Sequence, residues 1–317
     1  MKVVKSSVEI IDQEPGVIGM KKHIERVGRI SYKSEGLINE DSWIRFIKML
    51  YERGHWAVFN LGTVYLKVPI GEPKLEELLN TLYTKWTKDD NYLYITTNYR
   101  VICQLGLEDF MTHFWCEPNK YHFRRVTTHW ICSRFVSHQI IRHRCLSPIQ
   151  ESQRYVNYEK KKNGGGISYI LPQWAYRVRD DIASTVDSLT GESREWIRDL
   201  DGEELWDELC IHDRTVASRD RMWHLIEDEY KYELSNGGEG EVLKPEEARG
   251  ILCNDTKTEL CLCGFIRDWM YEPDPLKTSE KAGFFYLRCA PDAQVDVRVL
   301  AQSLKDQFIS RGFDKMK

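Results

Sequence analysis

Apolar positions recur at helical spacing in several stretches of the chain. In "NEDSWIRFIKMLYERGH", Trp43, Phe46, Ile47 and Leu50 fall on one face, acidic residues precede them and Gly54 follows, which predicts an amphipathic helix. The next stretch, "AVFNLGTVYLKVPI", is rich in β-branched and aromatic residues and predicts a strand stopping at Pro69. From Gly71 to about Tyr121 the chain is charged and rich in Tyr and Trp, with one predicted helix, "KLEELLNTLYTKW", and it reads as an inserted subregion. "LDGEELWDELCIHDRTVASRDRMWHLIEDEYKYEL" predicts a long helical stretch. "KPEEARGIL" predicts a further helix with Pro245 at its first position, and after Asp292 the residues Ala293, Val297, Leu300, Leu304 and Phe308 predict a closing amphipathic helix.

Between these lies "RRVTTHWICSRFVSHQIIRHR", where β-branched residues mix with a helical pattern. Ser147-Pro148 cannot extend a helix, because the residue before proline is pushed towards extended geometry. The pattern predicts a strand or helix to Arg144 and then a loop holding Gln150 to Arg154; a helical end would put Gln139, Arg142 and His143 on one face. "KKKNGGG" and "NGGEGEV" read as surface breaks, and "YEPDPLKTSEKAG" as a polar loop.

Composition narrows the picture. The 317 residues are 42% apolar, enough for a sizeable core, and the formal net charge of -4 gives no global field favouring nucleic acid or an anionic membrane. Any anion site must therefore be local. The first residues lack the continuous apolar run of a signal peptide and no segment approaches the ~20 apolar residues of a membrane span, so a cytoplasmic location is expected. Nine scattered cysteines do not form a disulfide framework, and the isolated "CLC" lacks the doubled pairs of a zinc site, so reduced core cysteines and no metal are expected. There is no G-x-G-x-x-G after a strand and no Gly-Lys-Ser/Thr phosphate loop, so a bound nucleotide would have to be held by side chains.

One stretch has the chemistry for that. "IIRHRCLSPIQESQRYVNY" sets Arg142, His143, Arg144 and Arg154 around Ser147, Ser152 and two glutamines. Guanidinium groups grip phosphate in bidentate fashion, while hydroxyls and amides complete the oxygen shell without adding charge. A surface basic patch paired to carboxylates has the same composition.

Arg142-His143-Arg144, then seven residues, then Ser152-Gln153-Arg154-Tyr155, resembles the signature of the flavin-dependent thymidylate synthases. The similarity continues in the family's order: "GRISY" with Ser31, "GHWAVFNLGTVYL" with His55, Gln139 three residues before Arg142, "PEEARGIL" with Arg249, and "FFYLRCAPDAQVDVR" with Arg288. The resemblance implies an α+β fold of mixed helices on a mainly antiparallel sheet. It also implies a single catalytic domain over 1–317, with insertions at about 71–121 and 271–282, assembled as a homotetramer with shared active sites. The implied reaction is the reductive methylation of dUMP to dTMP, with FAD as cofactor and methylenetetrahydrofolate and NADPH as co-substrates.

Carried over residue by residue, the resemblance implies that Arg288 is catalytic, stabilising charge on the pyrimidine as N3 loses its proton. Gln139, Arg142, Gln150, Glu151, Ser152, Gln153, Arg154, Arg249 and Arg288 are the expected dUMP contacts, and Ser31, His55, Arg142, His143, Arg144, Gln150 and Arg267 the expected FAD contacts. Ser152 reads as a positioning hydroxyl rather than a nucleophile, and Cys145 as a packing residue. The chain departs from the family pattern at Asn60-Leu61, where Glu-His is usual, at Phe265 and Gly283, where polar flavin contacts are expected, and at Val295, which replaces a common Trp. For Arg288 the competing reading is an ion pair with Asp292 or Asp296. For the whole chain the competing readings are a single-stranded nucleic-acid binder stacking bases on Tyr155, Tyr158 and Tyr169, and a catalytically silent FAD-binding relative.

Overall fold

A computed structural model describes residues 1–73, 75–160, 165–187, 190–235, 242–274 and 281–316. In chain order, strands β1 (Lys2–Val4) and β2 (Ser7–Ile11) lead into helices α1 (Gly16–Tyr32) and α2 (Ser42–Glu52). Then come β3 (Thr63–Pro69), α3 (Leu75–Leu79), β4 (Lys85–Lys88), β5 (Tyr92–Asn98), α4 (Tyr99–Gln104) and α5 (Glu108–Phe114). The central segment is β6 (Arg125–Ser133), α6 (Arg134–Ile140), β7 (Ser147–Gln150) and β8 (Ser168–Ile170). Helices α7 (Gln173–Ala183), α8 (Gly202–His212), α9 (Arg214–Ser235) and α10 (Pro245–Ala248) follow. The chain closes with β9 (Lys257–Phe265), α11 (Ile266–Met270), α12 (Phe284–Arg288) and α13 (Val295–Ser310).

The centre is an antiparallel sheet in the order β2-β6-β9-β7. Alternation along β9 divides its side chains between two layers. Cys261 and Cys263 join a core with Met20, Ile24 and Val27 of α1, while Leu260 and Leu262 face Val297, Leu300, Leu304 and Phe308 of α13. Each fully buried aliphatic or aromatic side chain contributes on the order of 1.5–3 kcal/mol, so both faces of the sheet are firmly covered. A second antiparallel sheet, β3-β5-β4, belongs to the α1 core. A third core of α7, α8 and α9 rests on the parallel pair β1 and β8, with Tyr169, Trp223 and Trp206 stacked at 4.5 Å spacings.

The fold class is as expected, mixed α+β with antiparallel sheets. Several local expectations are corrected. The predicted strand over 57–70 begins only at Thr63, because Trp56–Leu61 forms a 3-10 turn. The expected helix at 74–86 is five residues long, and its tail Lys85-Trp86 belongs to β4. The stretch 71–121, expected to hold one helix, holds α3, β4, β5, α4 and α5, and β5 pairs along the whole of β3. The long helix after Leu200 is two, broken at Asp213, whose Oδ1 accepts from the N–H groups of Thr215 and Val216 at 2.8 and 2.9 Å.

The motif segment also differs. The strand-or-helix alternative resolves into both, β6 then α6, and α6 ends at Ile140, so Arg142 and His143 lie beyond it and share no helical face with Gln139. Ser147–Gln150 is a strand rather than a loop; Pro148 is accommodated because β7 is an edge strand and needs no amide donor on its open side. The run Lys160 to Lys162 and the "NGGEGEV" break lie mostly outside the described residues, as does half of the loop at 271–282.

Candidate active site

Strand β7 separates the two halves of the arginine-rich motif. Its three steps from Ser147 to Gln150 span about 10 Å at ~3.3 Å per residue. At its C-terminal end, Glu151 N–H donates to Glu259 O at 2.8 Å and Ser152 N–H donates to Ser31 O at 3.1 Å. The second bond joins the "GRISY" helix end to the motif loop. Tyr32 extends the contact: its hydroxyl hydrogen-bonds His55 Nδ1, and its ring lies between those of His55 and Tyr155, with centroids 6.1 and 6.0 Å away. Arg154 N–H donates to Ser152 Oγ at 3.3 Å, and its Nε stands 3.7 Å from Glu246 Oε2. Arg249, just past α10, donates from Nε to Glu246 O at 3.1 Å. Ser31, His55, Ser152, Arg154 and Arg249 thus form one neighbourhood, with Gln153 in its turn.

Beneath it lies an ion network that the motif did not announce. Glu151 is 2% exposed. It accepts from Tyr158 OH at 2.8 Å and faces Lys33 Nζ at 3.5 Å. Lys33 also reaches Glu259 at 3.1 Å, and Glu259 accepts from His129 Nε2 at 3.0 Å and pairs with Lys257. Burial alone would raise the Glu259 carboxyl pKa, but His129, Lys257 and Lys33 outweigh it and hold the group well below the usual carboxylate range. Burial likewise opposes charge on Lys33, and Glu151 and Glu259 reverse that, raising its pKa above the ordinary lysine value. The network therefore keeps Glu259 ionised while fixing the Ser31–Ser152 junction. Lys33 adopts a left-handed backbone, φ 48°, which closes α1 and turns its side chain to this cluster. Arg134 adds a further guanidinium, donating to Glu151 O at 3.4 Å and Thr258 Oγ1 at 3.3 Å. Burial pulls its pKa down and nearby Arg249 adds to that, against Tyr158 and Glu151.

The sequence signal for this network was the alternation in "KTELCLC", which sets Lys257 and Glu259 on the same strand face as Cys261 and Cys263. Gln150 points to the opposite layer, donating to Ser137 Oγ at 2.7 Å and Thr258 Oγ1 at 3.2 Å.

At the other end of β7, Arg288 Nη2 donates to Gln139 O at 2.8 Å, and its buried Nε has no partner among the described residues. Burial and the charge of Arg142 both lower the Arg288 pKa. Arg288 makes no ion pair with Asp292 or Asp296 among the described residues; Asp296 Oδ1 instead accepts from Gln173 N–H at 2.9 Å. Arg142 and Arg144 are exposed and make no ion pair among the described residues, which argues against a salt-bridged surface patch. His143 is 8% exposed; its Nε2 hydrogen-bonds Asp268 O at 3.1 Å and its ring meets Phe284 edge-on at 5.6 Å. Burial holds its pKa down, leaving a neutral ring with the proton on Nε2.

His143, Arg267, Lys85, Asp268, Cys145 and Gly283 border a cleft of about 270 Å³. Gly283 admits no side chain, since a Cβ would lie 2.5 Å from Tyr271 N and 2.7 Å from Tyr271 O. Phe265 is buried under Lys85, whose ammonium stands 4.3 Å from its ring centre. Asn60 O accepts from Arg125 Nη2 at 2.7 Å, and Leu61 is fully buried, so this pair is structural. Val295 is exposed.

The predicted residues therefore fall in three groups around β7, and one chain does not gather the expected FAD set: Ser31 and His55 lie with the α1 layer, His143 and Arg267 at the cleft, and Gln150 inside. Tyr158 and Tyr169 are 5% and 0% exposed, so they offer no faces for stacking bases, which removes most of the platform of the nucleic-acid reading. No metal-ligating cluster occurs among the described residues, and their helices include none long and apolar enough to cross a membrane.

The sequence model of a protein family described as "Thymidylate synthase complementing protein" matches residues 122–311. No curated protein matches the chain. Among solved structures, it is similar to a UMP/dUMP methylase, PolB from Streptomyces cacaoi, bound with 5-Br dUMP: 14% identity over 98% of this chain and 93% of that chain, with a TM-score of 0.39. The same protein bound with 5-Br UMP gives 13% identity over 98% and 92%, with a TM-score of 0.38.

Proposed function

The chain belongs to the thymidylate synthase complementing protein family, and from that premise we propose that it reductively methylates C5 of dUMP to give dTMP, using methylenetetrahydrofolate, NADPH and FAD. The observation that carries the reading is the state of Arg288. Its guanidinium is anchored to the Gln139 carbonyl and, among the described residues, its buried Nε–H has no acceptor and it pairs with no carboxylate.

Methylation at C5 requires that carbon to become electron-rich, which places negative charge on the pyrimidine oxygens as N3 gives up its proton. A fixed guanidinium beside those oxygens stabilises that charge, and Arg142 nearby strengthens the field. Ser152 Oγ, with Arg154 and Arg249, would bind the phosphate in bidentate fashion. Arg154 would exchange its 3.7 Å partner Glu246 for that stronger acceptor. Gln139 and Gln153 would orient the sugar, while Glu151 remains the buried buttress of the loop.

The residues fit the anionic part of a flavin dinucleotide: Arg267 and Lys85 line a cleft whose one carboxylate among the described residues is Asp268, and Arg142 and Arg144 are exposed on the loop that supplies its His143 and Cys145. Bound there, FAD would transfer reducing equivalents from NADPH to the new carbon substituent. Neutral His143, held by the Asp268 carbonyl, fixes the course of the loop between the two arginines. Arg154 and Arg249 flank the α7–α9 core, through Val156 and Ala248, whereas Arg288 and Gln139 adjoin the α13 layer. This supports a homotetramer of the 37.4 kDa chain in which copies complete one another's sites.

The visible spectrum of the purified protein, with FAD and then dUMP added, tests the reading. Flavin bands that co-elute with the protein and shift on adding dUMP are expected. A folded protein that retains neither ligand would overturn it.

A further inference from the structure

The cleft beside His143 has a lining group from outside the motif. Lys85 comes from β4, in the stretch whose purpose the sequence left open, and reaches across to α11. Its ammonium is 3.8 Å from Asp268 Oδ1, beyond hydrogen-bond length, and lies 4.3 Å from the Phe265 ring centre and 5.9 Å from that of Phe123. Its side chain is 29% exposed, so it is partly desolvated yet open to the cleft. Burial lowers its pKa and Arg267 adds to that, with Asp268 opposing. Among the described residues, Lys85, Arg267 and Lys281 line this cleft against one carboxylate, Asp268, an excess of positive charge.

We propose that Lys85 binds a phosphate of a dinucleotide in this cleft, so that β4 supplies an anchoring contact where Phe265 and Gly283 offer no polar side chain. The inference rests on the flavin-dependent reading and adds a residue to it. A compact ammonium beside a guanidinium suits a diphosphate: the arginine grips two oxygens in its plane and the lysine meets the remaining charge as a point donor. An apolar floor of Phe265 strengthens both contacts by excluding water. A monoanionic carboxylate would leave part of the positive charge unmatched. Of the dinucleotides the reaction uses, both FAD and NADPH carry this group, and the measurement separates them.

K85M keeps the apolar stem and removes the charge; K85R keeps the charge. FAD binding is followed by quenching of flavin fluorescence over a range of salt concentrations, with riboflavin as a diphosphate-free control, and NADPH binding by the concentration dependence of flavin reduction. We expect K85M to weaken binding of one dinucleotide at least tenfold with a shallower salt dependence, K85R to stay within threefold, and riboflavin binding to be unchanged. Loss confined to FAD assigns the cleft to the flavin; loss confined to NADPH assigns it to the nicotinamide cofactor. If both dissociation constants and both salt slopes match the wild type, Lys85 only pins β4 to α11 and the proposal fails. If the wild type itself binds neither dinucleotide, the flavin-dependent reading fails first. Should K85M melt early, D268N supplies the second arm: freeing Lys85 from its carboxylate should tighten dinucleotide binding severalfold, and weaker or unchanged binding would overturn the proposal.

Discussion

Replacing Arg288 by alanine separates catalysis from folding. The side chain makes one hydrogen bond to a neutral acceptor, Gln139 O at 2.8 Å. Hydrogen bonds to charged groups are worth about 1.5–3 kcal/mol. Against that stand the buried Nε without an acceptor and the like charge of Arg142, both relieved by the substitution. The net stability change should therefore be on the order of 1 kcal/mol, a shift of roughly 1–2 °C for a protein of this size. The rate should behave differently. Removing one preorganised donor from a site where negative charge develops costs about 10²–10³ in kcat, and here the lost donor also bears a full charge. Because C5 methylation displaces the C5 proton, tritium release from 5-labelled dUMP reports turnover directly, beside a thermal melt of the same preparation. R288A should lose at least a hundredfold in kcat with KM for dUMP changed far less, and R288K should recover part of it, since a lysine restores charge without the planar fork. An R288A enzyme within threefold of wild-type kcat, with an unchanged melt, would remove Arg288 from the chemistry.

Three further outcomes follow from packing and titration. Gly283→Ala would push a Cβ to 2.5 and 2.7 Å from backbone atoms of Tyr271 and 3.0 Å from Trp269 O, so it should cost about 1–3 kcal/mol; an unshifted denaturant midpoint would contradict the described approach of these segments. His23 is buried, and burial, followed by Arg26 and then Arg125, lowers its pKa to about 4 from 6.5. The unfolded chain takes up that proton first, so stability should fall as pH drops from 6.5 towards 4 and should be insensitive to His23 above that window; His23→Gln should flatten this part of a melt-versus-pH series. Glu259, whose pKa is depressed by its cationic partners, stabilises the fold above the usual carboxylate pKa of 4.5 and loses that contribution as pH falls below it, a decline E259Q should abolish.

Local periodicity made parts of the fold legible. Phe46 and Leu50 of α2, and Val297, Leu300, Leu304 and Phe308 of α13, are buried at the spacing their pattern predicts. The pattern failed where a tertiary feature overrode it. Pro148 reads as a loop residue until β7 is known to be an edge strand, and Asp213 reads as one more polar helix position until its carboxylate is seen capping the next helix. The candidate site was legible as a motif and not as a geometry. The bond from Arg288 to Gln139 joins positions 149 apart in sequence, and Ser152 meets Ser31 through main-chain atoms that any residues would present. The network of Lys33, Glu151, Glu259, Lys257 and His129 draws on four separate elements or loops, and beyond the alternation that sets Lys257 beside Glu259, its pairing between distant segments leaves no local trace.

The departures at Asn60, Leu61, Phe265 and Gly283 make physical sense once packing is considered. Arg125 needs a carbonyl acceptor at the end of the 3-10 turn and finds it at Asn60, while Leu61 fills the α1 core. Phe265 ends β9 under the Lys85 ammonium, and Gly283 is the residue whose backbone can lie against Tyr271. Leu61, Phe265 and Gly283 therefore put packing where the family has polar side chains, whereas Asn60 serves Arg125 through its main-chain carbonyl, and three of the four positions lie on segments that also meet the β3-β5-β4 sheet or its connections. A chain that builds its interior from those positions must take ligand contacts from elsewhere on the same surface. The exposed guanidiniums of Arg142, Arg144 and Arg267 remain available for that, and among the cations lining the adjacent cleft, Lys85 is the one contributed by that sheet. The departures thus divide between the α1 core, where Asn60 and Leu61 lie, and the Lys85 cleft, where Phe265 and Gly283 lie, whereas the motif from Arg142 to Tyr155 keeps every residue it requires.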